Sequence, residues 1–396
     1  MDRRWNRYYG VVEKVSSLAG QWPYQRRRMR IFSLSIVTLS IFSVIVSQIA
    51  KMVECDGDRQ CLFPTVAAYM LSSIALVKMY TCHLSSRKIR NLTDHLLVDW
   101  DLLKSPEEYE IMKSYAENGR WYSLGYTLYC LISLCLFLSM SLIPHFLDVV
   151  LPLNESRPLV MPHPAYYFVD DREYFYYIFW YSTLTWEITV LGVIAHDCLL
   201  VTYIEHVCGI FAIVGVNTRR FRFERLSCER SEPATNVRAR PEVSYHKRIM
   251  FSVQAHRRAI CFAQLLEDTF SLTLALQIAI ITVLMSITLL QITLQVNDVI
   301  ELIRYILYVV AQLIHLFCLS FEGQKLMDHS LQTREKIYNS PWYEVPVKTQ
   351  KMLLFMMRRS IQPSFMSAGI YIFSMENFSK ILQTSMSYFT VLASME

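Results

Sequence analysis

Long apolar runs alternate with short polar segments along this chain, and the runs have the length of membrane-crossing helices. A bilayer core of about 30 Å takes roughly 20 helical residues. Runs of that order occur at 31–52, 62–83, 122–146, 270–296 and 303–321. Another, 175–216, holds about 40 residues and would measure about 60 Å as a helix, so its inner end must project beyond the bilayer. A seventh, 364–392, is less uniformly apolar. The pattern predicts an all-α membrane protein with seven transmembrane helices in a single domain.

The segment from Pro363 to Glu396 reads as one helix with two unlike faces. Ser367, Ser374, Asn377, Thr384, Ser387, Val391 and Ser394 recur at sevens, threes and fours, whereas Ile370, Phe373, Phe378, Ile381, Leu382 and Phe389 lie outside that stripe. A stripe of small, weakly polar residues on a membrane helix serves either tight packing or a wetted cavity. The residues alone leave both open.

The connecting segments give the orientation. Most of the 39 Lys and Arg fall in residues 1–30 and in the loops after spans two, four and six, whereas the opposite side carries Lys51, Arg59, Arg157, Arg172 and Arg304. Positive charge marks the cytoplasmic side, so the N-terminus is expected inside, the C-terminus outside, and the first span acts as a signal anchor. Lys78, near the inner end of span two, can snorkel to the interface. Ser85–Asn118 is amphipathic and is expected to prolong the bundle into the cytoplasm, with Ser105-Pro106-Glu107-Glu108 starting a helix. Pro144 is expected to close the outer end of span three. Asn217–Ser252 is the most polar stretch and reads as a flexible insertion. Asn154-Glu155-Ser156 is a glycan acceptor pattern in an outer loop. Asn91-Leu92-Thr93 and Asn377-Phe378-Ser379 share that pattern but fall inside and within the membrane.

Composition narrows the function. With 53% hydrophobic residues and only 10 glycines, the chain is a helical membrane protein. The net charge of +5 is sorted by membrane side and does not point to nucleic acid. Ten cysteines show no CxxC or Cys/His metal spacing. Cys55 and Cys61 share an outer loop, where a disulfide and two free thiols fit equally well. No catalytic or cofactor-binding constellation emerges. His196-Asp197 and Glu205-His206 are nine apart, not the three or four that would put them on one metal. Glu205 and His206 are expected to be solvated or in bundle contacts. Asp197 near membrane depth must face protein or water, and structural pairing is its expected role. Glu376 and Lys380, at i and i+4, can pair.

The C-terminal quarter resembles a known family. Gly323-Gln324 after an apolar helix, Pro341-Trp342-Tyr343, the basic amphipathic segment 348–363 and SMSYFTVL at 385–392 are similar to the C-terminal signature of insect odorant receptors. Met386 stands where that family usually has Tyr. The resemblance implies a subunit of a ligand-gated, nonselective cation channel in the plasma membrane of a sensory neuron dendrite. It also implies a tetramer with a shared coreceptor, a cytoplasmic anchor at 323–362, and a pore lined by the last helix. Carried onto this chain, the pore and gate residues are Thr384, Ser387, Val391 and Ser394, with Val391 at the constriction. The short loop after span four resembles a ligand-tuning subunit rather than the coreceptor. The implied ligand is a small apolar volatile or semivolatile compound, bound in the outer half of the bundle. Aromatic and sulfur-bearing side chains suited to such a pocket are Tyr69, Phe137, Met140, Phe179, Trp180, Tyr181, Tyr305 and Tyr308. Trp180 and Tyr181 are expected deeper than the interfacial belt of 174–177. A gustatory-type receptor would end in a different motif. A transporter would show inverted repeats, and none appears here.

Overall fold

The computed structural model describes residues 3–151, 157, 160–219, 241–295, 298–369 and 371–394. Two short helices, α1 (Arg3–Tyr8) and α2 (Gly10–Leu18), precede the long ones, α3 (Arg27–Glu54) and α4 (Arg59–Leu84). After these come α5 (Ser86–Asp101), α6 (Pro106–Ser139), α7 (Ile143–Val150), α8 (Phe175–Arg219), α9 (Pro241–Leu294), α10 (Val299–Tyr338), α11 (Val347–Arg359) and α12 (Met375–Ser394). Six of them, α3, α4, α6 with α7, α8, α9 and α10, are long and apolar enough to cross a membrane. The glycan pattern at Asn154 and most of the polar insertion, 220–240, lie outside the described residues.

α8 is the axis of the bundle. In its most apolar window 94% of residues are buried, against 17% in α3 and 22% in α10. A helix that is apolar all round is the one its neighbours enclose, and 194–214 of α8 is buried at every position. The outer helices keep one apolar face uncovered: Phe32, Leu39, Phe42 and Ile49 of α3 are exposed, as suits contact with lipid.

Local signals set the boundaries. Ser105 caps α6 with a reciprocal box: Glu108 N donates to Ser105 Oγ at 3.2 Å, and Ser105 N donates to Glu108 Oε2 at 3.2 Å. α6 then runs from the polar segment into the third apolar run as far as Ser139, where a 3-10 turn, Met140–Leu142, leads into α7. Pro144 does not close it; Pro144 sits in the first turn of α7, where its missing N–H costs nothing. Cys55 and Cys61 form a disulfide across the turn between α3 and α4.

Residues 3–24 are more than a basic leader. Trp5, Tyr8, Tyr9 and Val12 form a helical stripe buried against the bundle. Tyr8 stacks on Trp100, Trp100 Nε1 donates to Tyr9 Oη at 2.9 Å, and Gln21 Nε2 donates to the Gly192 carbonyl of α8 at 2.8 Å. Gly20 makes the return possible. Its φ is +71°, and a Cβ there would lie 2.8 Å from Leu34 N.

The seventh segment departs from the helix expected at 364–392. Ser367–Ala368 (β1) and Tyr371–Ile372 (β2) form a two-stranded antiparallel hairpin, with Ser367 opposite Ile372. The turn passes through Gly369 at φ +68°, so Ser367 does not belong to a helical stripe. Ser374 Oγ accepts from Asn377 N at 3.2 Å, and α12 starts there. Its 20 residues still give a helix of about 30 Å.

Candidate functional site

Three groups of side chains stand out in the bundle. The first is a cluster of aromatic and polar side chains packed under the loop 160–168. Arg304 of α10 ties this loop down: its Nη2 donates to Met161 O at 2.8 Å, Pro162 O at 3.0 Å and Ser141 Oγ at 3.1 Å. Its Nη1 pairs with Glu301 at 2.9 Å, and the guanidinium lies 5.1 Å above the Phe137 ring. Tyr166 N donates to Ser47 O of α3 at 3.0 Å. His163 thereby turns inward, edge-on to Trp186 at 5.5 Å, with Nε2 3.0 Å from Tyr167 Oη. Tyr167 Oη is also 3.0 Å from Ser182 Oγ. Burial, followed by the Arg304 charge, lowers the His163 imidazole to about 3, so it is neutral at physiological pH.

Of the sequence-selected residues, the structure brings Phe137 and Tyr308 side by side and buries others to differing degrees. Phe137 and Tyr308 approach to 6.2 Å, Met140 and Phe179 are buried, and Tyr69 and Tyr305 are half-buried. Trp180 is not brought in. It is 68% exposed, because the inward phase of α8 runs Phe175, Phe179, Ser182, Trp186 and leaves 180 on the outer face. Tyr181 is at the edge, its hydroxyl donating to Ser43 Oγ at 2.6 Å. The residues that sequence reasoning missed are Trp186, His163 and Gln48. The i, i+4 ladder from Phe175 through Phe179 was the signal for the buried side of α8.

The second group is a charged knot at the level of Asp197. Lys78 does not snorkel: it is 1% exposed and holds both Asp197 oxygens, at 2.7 and 2.9 Å. Tyr126 Oη donates to Asp197 Oδ2 at 3.0 Å, and His196 Nδ1 is 2.9 Å from Oδ1. Tyr126 Oη also contacts His315 Nδ1 at 2.7 Å, and Gln277 Nε2 approaches His315 Nε2 at 2.5 Å. One polar network thus joins α4, α6, α8, α9 and α10. Further in, Glu205 pairs with Lys325, and His206 Nε2 lies 3.2 Å from Asp99. Both are bundle contacts.

The third group is α12. Phe378, Ile381, Leu382, Ser385, Phe389 and Leu392 form its packed side. Ser385 is fully buried: Ser286 Oγ of α9 donates to its carbonyl at 3.0 Å, and its own hydroxyl donates to Thr282 O at 3.3 Å. The other side shows Thr384, Ser387, Val391 and Ser394 exposed, with Val391 at 56%. Met386, half exposed, adds nothing to the packed side. Glu376 and Lys380 pair at 2.6 Å on the surface.

Comparison with known proteins places this geometry. The 7tm Odorant receptor family model matches residues 62–386. Odorant receptor Or2 of Anopheles gambiae is 21% identical over 390 residues, which are 94% of each chain. Odorant receptor 82a of Drosophila melanogaster is 24% identical over 53% of this chain and 54% of its own length, so this match spans only about half of that relative. Among solved structures, the insect olfactory receptor OR5 from Machilis hrabei in complex with eugenol covers 99% of both chains with a TM-score of 0.76 at 13% identity, which establishes the shared fold. With a family match across most of its length and that seven-helix membrane fold, the chain belongs to the 7tm odorant receptor family, a family of receptors and not of enzymes.

Proposed function

We propose that this chain is the odorant- or pheromone-binding subunit of a ligand-gated, nonselective cation channel, assembled as a tetramer with the family's coreceptor. The observation that carries the reading is the division of α12. One side is fastened to α9, and the other leaves Thr384, Ser387, Val391 and Ser394 exposed, the three hydroxyls turned back onto carbonyls of α12 itself. Four such helices around an axis would line a pore with hydroxyls and close it at a ring containing Val391, because a narrow apolar throat does not hold a water column. The ligand, a small apolar volatile or semivolatile compound, would bind in the outer half of the bundle among Tyr69, Phe137, Met140, Phe179, Tyr305 and Tyr308. Tyr181 would sit at its edge, and Trp180 would serve as a lipid contact. The eugenol bound by the Machilis receptor supports this ligand class. Binding can open the pore only through a higher affinity for the open arrangement.

The test is electrical. Recordings from cells expressing the chain with and without coreceptor should show ligand-evoked cation current that needs the coreceptor. Val391→Gln should raise ligand-free leak at unchanged surface level; wild-type leak and permeability would take Val391 away from the throat. Steady, ligand-independent solute uptake without current would favour a transporter instead.

The N-terminus is proposed to be cytoplasmic, the C-terminus and Asn154 extracellular, and the membrane the plasma membrane of sensory dendrites. The Lys/Arg bias supports this orientation. The Cys55–Cys61 disulfide on the side opposite the basic loops also supports it, since disulfides persist in oxidising surroundings. An N-terminal epitope tag should stain only after permeabilisation; staining of intact cells would reverse the topology.

A further inference from the structure

Under the loop 160–168 the structure buries polar atoms that have nothing to bind. Gln48 of α3 is 0% exposed, and His163 and Trp186 are each 5% exposed. Among the described residues, Gln48 Nε2 and Oε1, His163 Nδ1 and Trp186 Nε1 have no hydrogen-bond partner. Buried donors and acceptors are nearly always paired, and an orphan is costly to keep. Here the four orphan atoms fall on residues tied to one cluster of loop and helices. His163 lies edge-on to Trp186, Ser47 beside Gln48 accepts from Tyr166 of the same loop, and Val44, one turn below Gln48, packs with Trp186 and Leu138. Leu71, Leu134 and Phe137 form the apolar side of the same cluster.

We propose that Gln48, His163 and Trp186 form an oxygen-reading subsite, so that the ligand of this chain carries one uncharged hydroxyl or carbonyl oxygen on an apolar body. The reading rests on the ligand-binding function proposed above and narrows its ligand class. The indole N–H only donates, and the glutamine amide both donates and accepts. A hydroxyl satisfies both kinds of group, and a carbonyl takes the two N–H groups. A hydrocarbon leaves all of them unpaired. A carboxylate is not matched, because the neighbouring cation, Arg304, already balances its charge against Glu301 and spends Nη2 on Ser141 and two loop carbonyls, leaving only its Nε without a partner among the described residues, and an unpaired buried charge is expensive. The Tyr308 hydroxyl, also unpartnered, lies across Phe137 in the aromatic region already assigned.

Ligand-dependent thermal unfolding of the full chain in lipid nanodiscs tests this without requiring current. The probes are pairs of equal heavy-atom count: octanol against nonane, and phenethyl alcohol against propylbenzene, with octanoic acid added. The alcohols should raise Tm with a midpoint concentration at least about tenfold below that of their hydrocarbon partners. Gln48→Leu and Trp186→Phe, made singly, should each shrink that ratio. Gln48→Leu should also leave the ligand-free Tm equal or higher, since it removes two orphan atoms; a merely structural glutamine would lower it. Equal midpoints within the pairs, a tightest response to octanoic acid, no shift with any probe, or a ratio unmoved in both variants would overturn the proposal. Cells expressing the chain with coreceptor separate the two readings. Oxygen-selective binding without evoked current would refute the channel and leave the subsite, whereas evoked current with no preference for oxygen would refute the subsite alone.

Discussion

Lys78→Met is expected to remove most folded receptor from the cell surface, whereas Lys78→Met combined with Asp197→Leu should recover much of it. Lys78 and Asp197 are each 1% exposed, and the ammonium holds both carboxylate oxygens. Deleting the cation leaves a carboxylate in the middle of five packed helices, with Tyr126, His196 and, at 3.8 Å, His315 around it. Breaking a buried pair from one side costs about 3–5 kcal/mol, while replacing both charges with apolar groups is often close to neutral. A domain stable by about 5–15 kcal/mol survives such a loss poorly. The network joins α4, α6, α8, α9 and α10, so the loss loosens the middle of the bundle rather than one contact. Surface biotinylation and the Tm of purified protein measure it. A single variant with wild-type Tm and surface level would mean that the pair carries no such energy, and a double variant no better than the single would mean that the charge itself is needed.

This pair also shows where sequence reading stopped. Asp197 was legible as a charge that must face protein, because its cost depends only on depth. Lys78 was not, because its partner lies 119 positions away and a lysine near a helix end has an equally good alternative in snorkelling. The same limit acts within α8. The sequence reading took up Trp180 and passed over Trp186, although the first is exposed and the second buried, because this apolar stretch of α8 has no strongly polar face to set its phase. α12 was easier. Once the hairpin is set aside, Thr384, Ser387, Val391 and Ser394 share the face that its contrast of small and bulky residues predicts. The capping box at Ser105 was legible because it is local. The hairpin was not, because Ser367 and Ser374 happen to stand seven apart and continue a helical period into a segment that Gly369 turns back.

Gly323→Ala is expected to disconnect ligand binding from current. A Cβ at position 323 would fall 2.5 Å from both the Cβ and the carbonyl oxygen of Phe373, closer than atoms can sit. Phe373 cannot easily yield. It is 2% exposed, and its N–H donates to Met366 O at 2.9 Å across the hairpin. The neighbouring contacts bind the same junction to α10: Gln324 Oε1 accepts from Met375 N at 3.3 Å, and Ser330 Oγ accepts from Ser364 N at 3.0 Å. Gly323 and Gln324 therefore form the seat on which the root of α12 rests. A forced displacement there costs about 1–3 kcal/mol and tilts the helix proposed to line the pore, while the residues proposed to bind ligand lie far up the bundle. Surface level should fall modestly, the ligand-induced Tm shift should persist, and evoked current should drop by an order of magnitude or more (about 1.4 kcal/mol per tenfold). Gly119→Ala is the control. There the added Cβ would meet Glu205 at an ordinary 3.6 Å, and current should remain near wild type. Wild-type evoked current from Gly323→Ala, at wild-type surface level, would show that α12 moves independently of this seat.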